Sequence, residues 1–486
     1  MAVMTAQAEV TAGGQQVSPA IARGAEFRRA LLIGLALFLC YGFFFYPGGN
    51  WNVESRNAQI VSLAEDKTLA IDAYEYWTGD KAYYQGHYYS DKLVGPSLVA
   101  VPFYWTSRRL LQAAGMSPRL ALMVALRVAN VCSNAAPSAL LGALLYLFLA
   151  ELGLSAVLRV WLAFAYGFGT LALPYSTALF GHQFGAACAF GSFMLLWRQR
   201  GAWIGGRAVA AGLLAGLGAI CDFTTLLIAC FLALYAIWVS VTAASSAAPR
   251  RRVVEVIGRV LLFAVFMAVP ISVQLSANWS SFGSPLTFPH IYHVQPSFRA
   301  RHTAGLLGVH FPQLSPLYQL TIGPWRGLFY GCPVLLLALP GFFLLGRRRP
   351  VEAVLAAAMW IGVLLMSAGY ENWTAGSSYG PRYQIAAIPF LVFAAAPSAQ
   401  RWPFVFKVLA AISIAFAVIV TAQSPFIPEN LQNPLAVALA EFSVGRLLNG
   451  NLGLAIGLPS LLSLLPLAVV EAAFFYALSG ISAREQ

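Results

Sequence analysis

The chain has 486 residues, of which 59% are hydrophobic and only 10% charged, with a formal net charge of +12. An ordinary soluble domain carries about 25% charged residues, so a soluble helical protein of this size is excluded for want of polar surface. The positive charge forms no long basic stretch and does not point to nucleic acid; it sits in short clusters between apolar runs, at Arg28-Arg29, Arg198 with Arg200 and Arg207, Arg250-Arg251-Arg252, and Arg347-Arg348-Arg349.

In chain order, residues 1–28 are small and polar and read as a disordered cytoplasmic segment. The apolar run 29–46 has no small-residue cleavage site and reads as a retained first helix. A polar loop, 47–93, precedes an amphipathic piece around 96–113. Spans are then expected at 120–150, 157–173, 178–197, 208–222, 223–243 and 258–277. A second loop, 278–325, leads to spans at 326–345, 351–369, 385–398, 404–422 and 452–480. The sum is about 12 spans, each near or above the ~20 residues that cross a bilayer, or somewhat shorter. The expectation is an all-α polytopic membrane protein, with a main module at 29–398 and C-terminal helices at 399–486. With the N-terminus inside, every basic cluster falls on the cytoplasmic face. Loops 47–93, 278–325 and 423–450 fall on the other. There is no internal repeat and no soluble domain in this reading. The six cysteines lie in or beside apolar runs with no CxxC spacing and read as buried thiols.

Seven of the 18 acidic residues lie in loop 47–93. Glu54, in "NWNVESRN", would sit at the membrane–water boundary, where partial desolvation raises a carboxylate's pKa and makes it a better base. Arg56 either pairs with it or binds a phosphate; a plain surface Glu–Arg pair fits the local sequence as well. "GDKAYYQGHYYSDKLVGPSL" carries Tyr88, Tyr89, Asp91 and Lys92. Tyrosines enrich at membrane interfaces whatever the function, but aromatic faces with nearby carboxylates also suit sugar rings, and Lys92 suits a phosphate. All six histidines fall on the outer side. His182 opens a helix there, as a helix-end hydrogen bonder or a site residue. "HIYH" at 290–293 has metal-ligand spacing, but no cysteine or paired carboxylate completes it in sequence, and no metal ligands are assigned. Arg326 in "IGPWRGLFYGCP" and Arg382 in "GSSYGPRY" each lie beside glycine at the outer face. Arginine grips phosphate oxygens in bidentate fashion, although arginines at helix ends also snorkel to headgroups. Tyr379 and Tyr383 flank Arg382. Arg127 and Asp222 lie in or at the end of apolar spans, where ionisable residues are costly and usually paired or functional.

Together, Glu54 soon after the first helix, "YYSDKLVGPS", "FGSPL", "PWRGLFYGCP" and "GSSYGPRY" resemble, in order over most of 29–395, the GT-C superfamily of integral membrane glycosyltransferases. The likeness is greatest to the branch of protein O-mannosyltransferases and lipid A aminoarabinose transferases. Departures are the lone Glu54, where relatives often have Asp or an acidic pair, and "DKLVGP", where many have a Pro-Pro turn. The resemblance implies a GT-C helical bundle with juxtamembrane helices in the first outer loop. It implies a polyprenyl-monophosphate-linked sugar as donor, transferred with inversion to a hydroxyl of a lipid, glycan or protein. Glu54 then matches the catalytic acidic residue, and Lys92, Arg326 and Arg382, with Arg56, suit the donor phosphate. Tyr88, Tyr89, Asp91, His182, Tyr379 and Tyr383 are expected to line the substrate site. Whether Mg²⁺ or Mn²⁺ assists is left open. The expected location is a bacterial inner membrane, with the site facing the periplasm or exterior. The rival reading is a transporter or flippase, which a charge relay between Arg127 and Asp222 through the bundle centre would favour.

Overall fold

The computed structural model describes residues 19–46, 49–244 and 248–483. The disorder expected of the opening stretch lies outside the described residues as far as position 18. From Pro19 the chain is already helical, in one helix to Phe43. Its early start has a cause in sequence: Arg159, from the helix Ala156–Gly169, donates to both oxygens of Glu26 at 2.7 and 2.9 Å, which pins the first turns to the bundle.

The protein is mostly α-helical, and its long apolar helices make it an integral membrane protein. Among the described residues six helices are long and apolar enough to cross a membrane: Pro118–Leu152, Phe223–Thr242, Pro249–Phe282, Pro350–Gly369, Pro403–Gln423 and Ser460–Ser479. Shorter apolar helices include Ala156–Gly169, Gly205–Ala219 and Pro333–Gly346. The run 452–480 is interrupted: Leu452–Ala455 is one short helix, and the long helix resumes after Pro459. The run 326–345 is likewise divided at Pro333, because proline lacks the N–H an uninterrupted helix needs.

Glycine sets a close helix contact. At Gly212 and Gly216, one turn apart on Gly205–Ala219, an added Cβ would lie 2.4 Å from the Phe263 carbonyl oxygen and 2.1 Å from that of Met267. This is the small-residue packing that holds helices together where lipid offers no hydrophobic drive. The main core is aromatic, with Phe148, Phe190, Phe193, Trp197 and Phe393 meeting edge to face.

The helices share one polarity. Arg200 bonds Glu352 at 2.6 Å, and Arg200 and Arg349 both lie over the Trp197 ring, so two of the basic clusters meet at one end of the bundle. At the opposite end the connections carry structure. The first holds a helix, Trp51–Val61, and an antiparallel hairpin, Lys81–Tyr84 with His87–Ser90, where only helices were expected. Gln85 and Gly86 turn the hairpin, both at positive φ (49° and 89°), as a two-residue turn matched to strand twist requires. A second pair of strands joins Phe44–Phe45 to Gly450–Asn451. Loop 278–325 is stitched to the hairpin by Val294 N–H donating to the Lys81 carbonyl at 3.0 Å. It is stitched to Pro350–Gly369 by His310 N–H donating to the Gly369 carbonyl at 2.7 Å.

Candidate functional site

These connections enclose a cavity of about 900 Å³ at the end opposite the arginine clusters. Close backbone approaches assemble its floor. Gly181 packs so tightly that a Cβ would lie 2.1 Å from the Cys221 carbonyl oxygen. Gly95 donates its N–H to the Ile220 carbonyl at 3.2 Å, and a Cβ there would lie 2.5 Å from the same oxygen. The turns bearing Lys92, His182 and Asp222 are thus brought together by residues that cannot carry a side chain.

Two arginines dominate the wall. Arg56 lies on Trp51–Val61, a helix capped by the Asn50 side chain, which accepts from the N–H groups of Asn52 and Val53. Ser55 locks that helix to the hairpin, donating to the Asp80 carbonyl at 2.6 Å and lying 2.8 Å from Ser90 Oγ. Arg56 Nη1 donates to the carbonyl of Asn52 at 3.0 Å and to its side-chain oxygen. Arg382 opens the 3₁₀ turn Arg382–Ala387 and lies over the rings of Phe180 at 5.2 Å and Tyr383 at 5.5 Å. Arg56 lies over the same Phe180 ring at 5.9 Å. Both residues are more than nine-tenths buried, the Nε of each has no hydrogen-bond partner, and among the described residues neither guanidinium is paired with a carboxylate. Burial pulls the Arg56 guanidinium down to about 10, which leaves it charged at neutral pH.

The third cation is differently placed. Lys92 Nζ lies 2.7 Å from Asp80 and 2.8 Å from Asp91. Burial works to raise the Asp91 carboxyl, but Lys92 and His293 outweigh it and hold it below the usual carboxylate range. Asp80, Asp91 and His293 present donor atoms within 4.8 Å of one another, and His293 Nε2 has no hydrogen-bond partner. This donor set fits a divalent ion, which would have to displace the Lys92 ammonium from both carboxylates. The residues of "HIYH" do not converge. His290 lines the cavity and stacks on His302 at 4.7 Å, while His293 stacks on Phe298.

Of the residues singled out in sequence, Arg56, Asp91, Lys92, His182, Arg382 and Tyr383 line this one cavity. Glu54, Tyr88, Tyr89, Arg326 and Tyr379 do not. Asn52 and Arg56 are four residues apart on one helical face; Glu54 is two from each and points elsewhere. Its carboxylate accepts from Asn57 Nδ2 at 3.2 Å, and burial pushes it above its ordinary value against that bond and one from the Gly49 N–H. Tyr88 and Tyr89 pack in the hairpin layer against Tyr83 and Phe282. Arg326 donates to the carbonyls of Thr374 at 3.0 Å and Gly376 at 3.1 Å, bracing the turn whose Ala375, Gly376 and Ser377 form cavity wall. Tyr379 is buried behind that turn, its carbonyl accepting from Tyr175.

Sequence reading missed Asp80, Asp222, His290 and Glu429 as wall residues. Glu429 and Phe426 come from 423–450, so the C-terminal segment is part of the site. Arg127 and Asp222 form no relay: Arg127 donates to the carbonyls of Thr177 at 2.9 Å and Gly42 at 3.0 Å, and Asp222 lies 2.9 Å from His182.

No protein-family model matches the chain, and no curated protein matches it. Among solved structures it is similar to the oligosaccharyltransferase of Archaeoglobus fulgidus in apo form, at TM-score 0.47 and 12% identity over 88% of this chain and 57% of that one. The archaeal oligosaccharyltransferase in complex with an inhibitory peptide and a dolichol-phosphate gives 0.45 and 14% over 88% and 57%. The form tethered to an acceptor peptide with the NVT sequon gives 0.44 and 13% over 86% and 55%. The chain spans a little over half the length of these structures, and at such scores no function passes from one to the other.

Proposed function

We propose that the protein is a GT-C-type inverting glycosyltransferase that moves a sugar from a polyprenyl-monophosphate donor to a hydroxyl acceptor at the outer face of the membrane. One observation carries the reading: two buried guanidiniums, Arg56 and Arg382, lie over Phe180 on a cavity wall, and among the described residues neither makes a direct ion pair, Asp80, Asp91 and Asp222 acting on them only from farther along the wall. A buried charge is costly unless paired, so the arrangement calls for an anion, and arginine suits the oxygens of a phosphate.

The remaining wall fits a lipid carrying that phosphate. Leu226, Leu227 and Cys230 of the apolar helix Phe223–Thr242 line the cavity, and Leu226 and Cys230 are exposed, an apolar wall suited to a lipid chain. Trp51, Asn50, Asn52, Asn372 and Ser377 supply the aromatic face and hydroxyl partners a sugar ring needs. The leaving group departs as a phosphate anion and needs no strong acid. Arg56 and Arg382, both buried side chains, stabilise its growing charge. Mg²⁺ or Mn²⁺ would be held by Asp80, Asp91 and His293 and would add positive charge beside the phosphate. Orientation and charge stabilisation otherwise fall to the chain's own residues. The polar residues crowd one end of the bundle, which speaks against a transporter, whose sites sit near the bilayer midplane.

The test is transfer of labelled sugar by the purified protein from a panel of polyprenyl-phosphate donors. Transfer that disappears in Arg382→Ala is expected; an Arg382→Ala protein that transfers at the parental rate contradicts the reading.

A further inference from the structure

Any such transfer must put the acceptor's proton somewhere, and most acidic groups on the wall are poorly placed to take it. Asp80 and Asp91 share the Lys92 ammonium, which stabilises them as anions. Glu429 accepts from Thr374 Oγ1 at 2.6 Å and faces Arg301 at 3.7 Å. Glu54 lies off the wall. His182 and Asp222 are arranged differently. Both line the cavity and both are more than nine-tenths buried. His182 Nδ1 lies 2.9 Å from Asp222 Oδ2, and Thr224 Oγ1 donates to the same carboxylate. The imidazole stacks on Phe180 at 5.9 Å and 17°, the ring that carries both unpaired arginines. Nδ1 is the nitrogen beside the carboxylate, close to it but without an aligned hydrogen bond, and Nε2 is the nitrogen left for substrate.

We propose that His182 takes the proton of the acceptor hydroxyl on Nε2 and that Asp222 is its positioning residue. The assignment rests on the glycosyl-transfer reading above. The acceptor oxygen forms the bond to the anomeric carbon, and the bond from that carbon to the phosphate oxygen breaks with its electron pair staying on the phosphate. The hydroxyl proton passes to Nε2, and Asp222 stays ionised to balance the imidazolium. Groups facing the ring are Asp222 and Thr224 at the start of Phe223–Thr242, Arg56 from Trp51–Val61, Arg382 and Tyr383 from Arg382–Ala387, and Tyr175 from Ala172–Ser176. Loss of the negative charge at Asp222, with both arginines still present, makes the ring harder to protonate.

The experiment has two arms, both on the full chain in lipid nanodiscs. Nitrogen-15 spectra of histidine-labelled protein, with His182→Gln to assign the signals, should show His182 protonated at Nδ1 and bare at Nε2 at neutral pH. A proton fixed on Nε2 instead overturns the assignment, whether or not transfer is seen. In transfer assays His182→Gln should lower kcat by about 10²–10⁴-fold, the usual contribution of a general base, with polyprenyl-phosphate binding retained. Asp222→Asn should lower kcat at unchanged KM and move the acid limb of the pH profile to lower pH. A His182→Gln protein at parental kcat, or the same loss in Glu54→Gln alone, overturns the dyad. Wild-type protein that binds no polyprenyl phosphate overturns the glycosyltransferase reading beneath it.

Discussion

A guanidinium buried without a counter-charge is held there by the fold at a cost, and a ligand that neutralises it returns that cost as affinity. A hydrogen bond to a charged group contributes about 1.5–3 kcal/mol. Arg382→Ala or Arg56→Ala should therefore weaken polyprenyl-phosphate binding by roughly 10- to 150-fold, read by equilibrium binding, while the fold stays intact. Lys92 behaves differently because it has two partners, Asp80 and Asp91, each within 2.8 Å. Lys92→Met leaves two buried carboxylates without their shared ammonium, with only His293 still facing Asp91, a change worth about 3–5 kcal/mol, and should lower the thermal midpoint. Since Asp91 titrates below its unfolded value, its contribution to stability is fully present above about pH 4 and is lost as pH falls through its folded pKa. Acidification should thus destabilise wild type more steeply than Asp91→Asn. At this scale the arginines and Lys92 were legible because few charges occur in so apolar a chain. The carboxylates were not. Glu54 and Arg56 look adjacent in sequence, yet two residues on a helix point to nearly opposite sides, and Asp80 reaches the wall only because Lys81–Tyr84 folds back on His87–Ser90.

The connecting elements, more than the spans, build the site. Gly181 touches the Cys221 carbonyl at a distance no Cβ could share, so Gly181→Ala should push His182 away from Asp222. Overpacking costs about 1–3 kcal/mol, and this variant should lose both thermal stability and kcat, whereas alanine at Gly206, where a Cβ meets nothing within 4 Å, should change neither. Arg326 belongs to this scale too: it holds the Thr374–Gly376 turn by its carbonyls. The sequence placed Arg326 at the outer rim but could not show whether its donors face a ligand or the backbone. The hairpin carried a signal that went unread: aromatic residues, which favour strands, flank Gln85-Gly86, and glycine permits the positive φ of a tight turn. The breaks at Pro333 and Pro459 were legible in the same way, from proline inside an apolar run.

Across the whole molecule, hydrophobic patterning gave the class and most helix positions, and the arginine clusters gave one polarity to the bundle. The cavity lies at the end away from those clusters. The proposed placement of the site outside the cytosol rests on the positive-inside rule. A cysteine introduced at Tyr83 in the hairpin should react with a membrane-impermeant maleimide in intact cells, and one at Arg251 only after lysis. The convergence of Arg56, Lys92, His182 and Arg382 from far-apart segments is a tertiary fact, set by close contacts at Gly95 and Gly181 that no local pattern reports. The most direct measurement compares equilibrium binding of a polyprenyl phosphate with that of the corresponding polyprenol by the purified protein. The two unpaired arginines predict saturable binding of the phosphate, much weaker binding of the alcohol, and loss of that preference in the Arg56→Ala, Arg382→Ala double variant. Equal affinity for the two lipids, or a preference that survives in the double variant, would contradict the account.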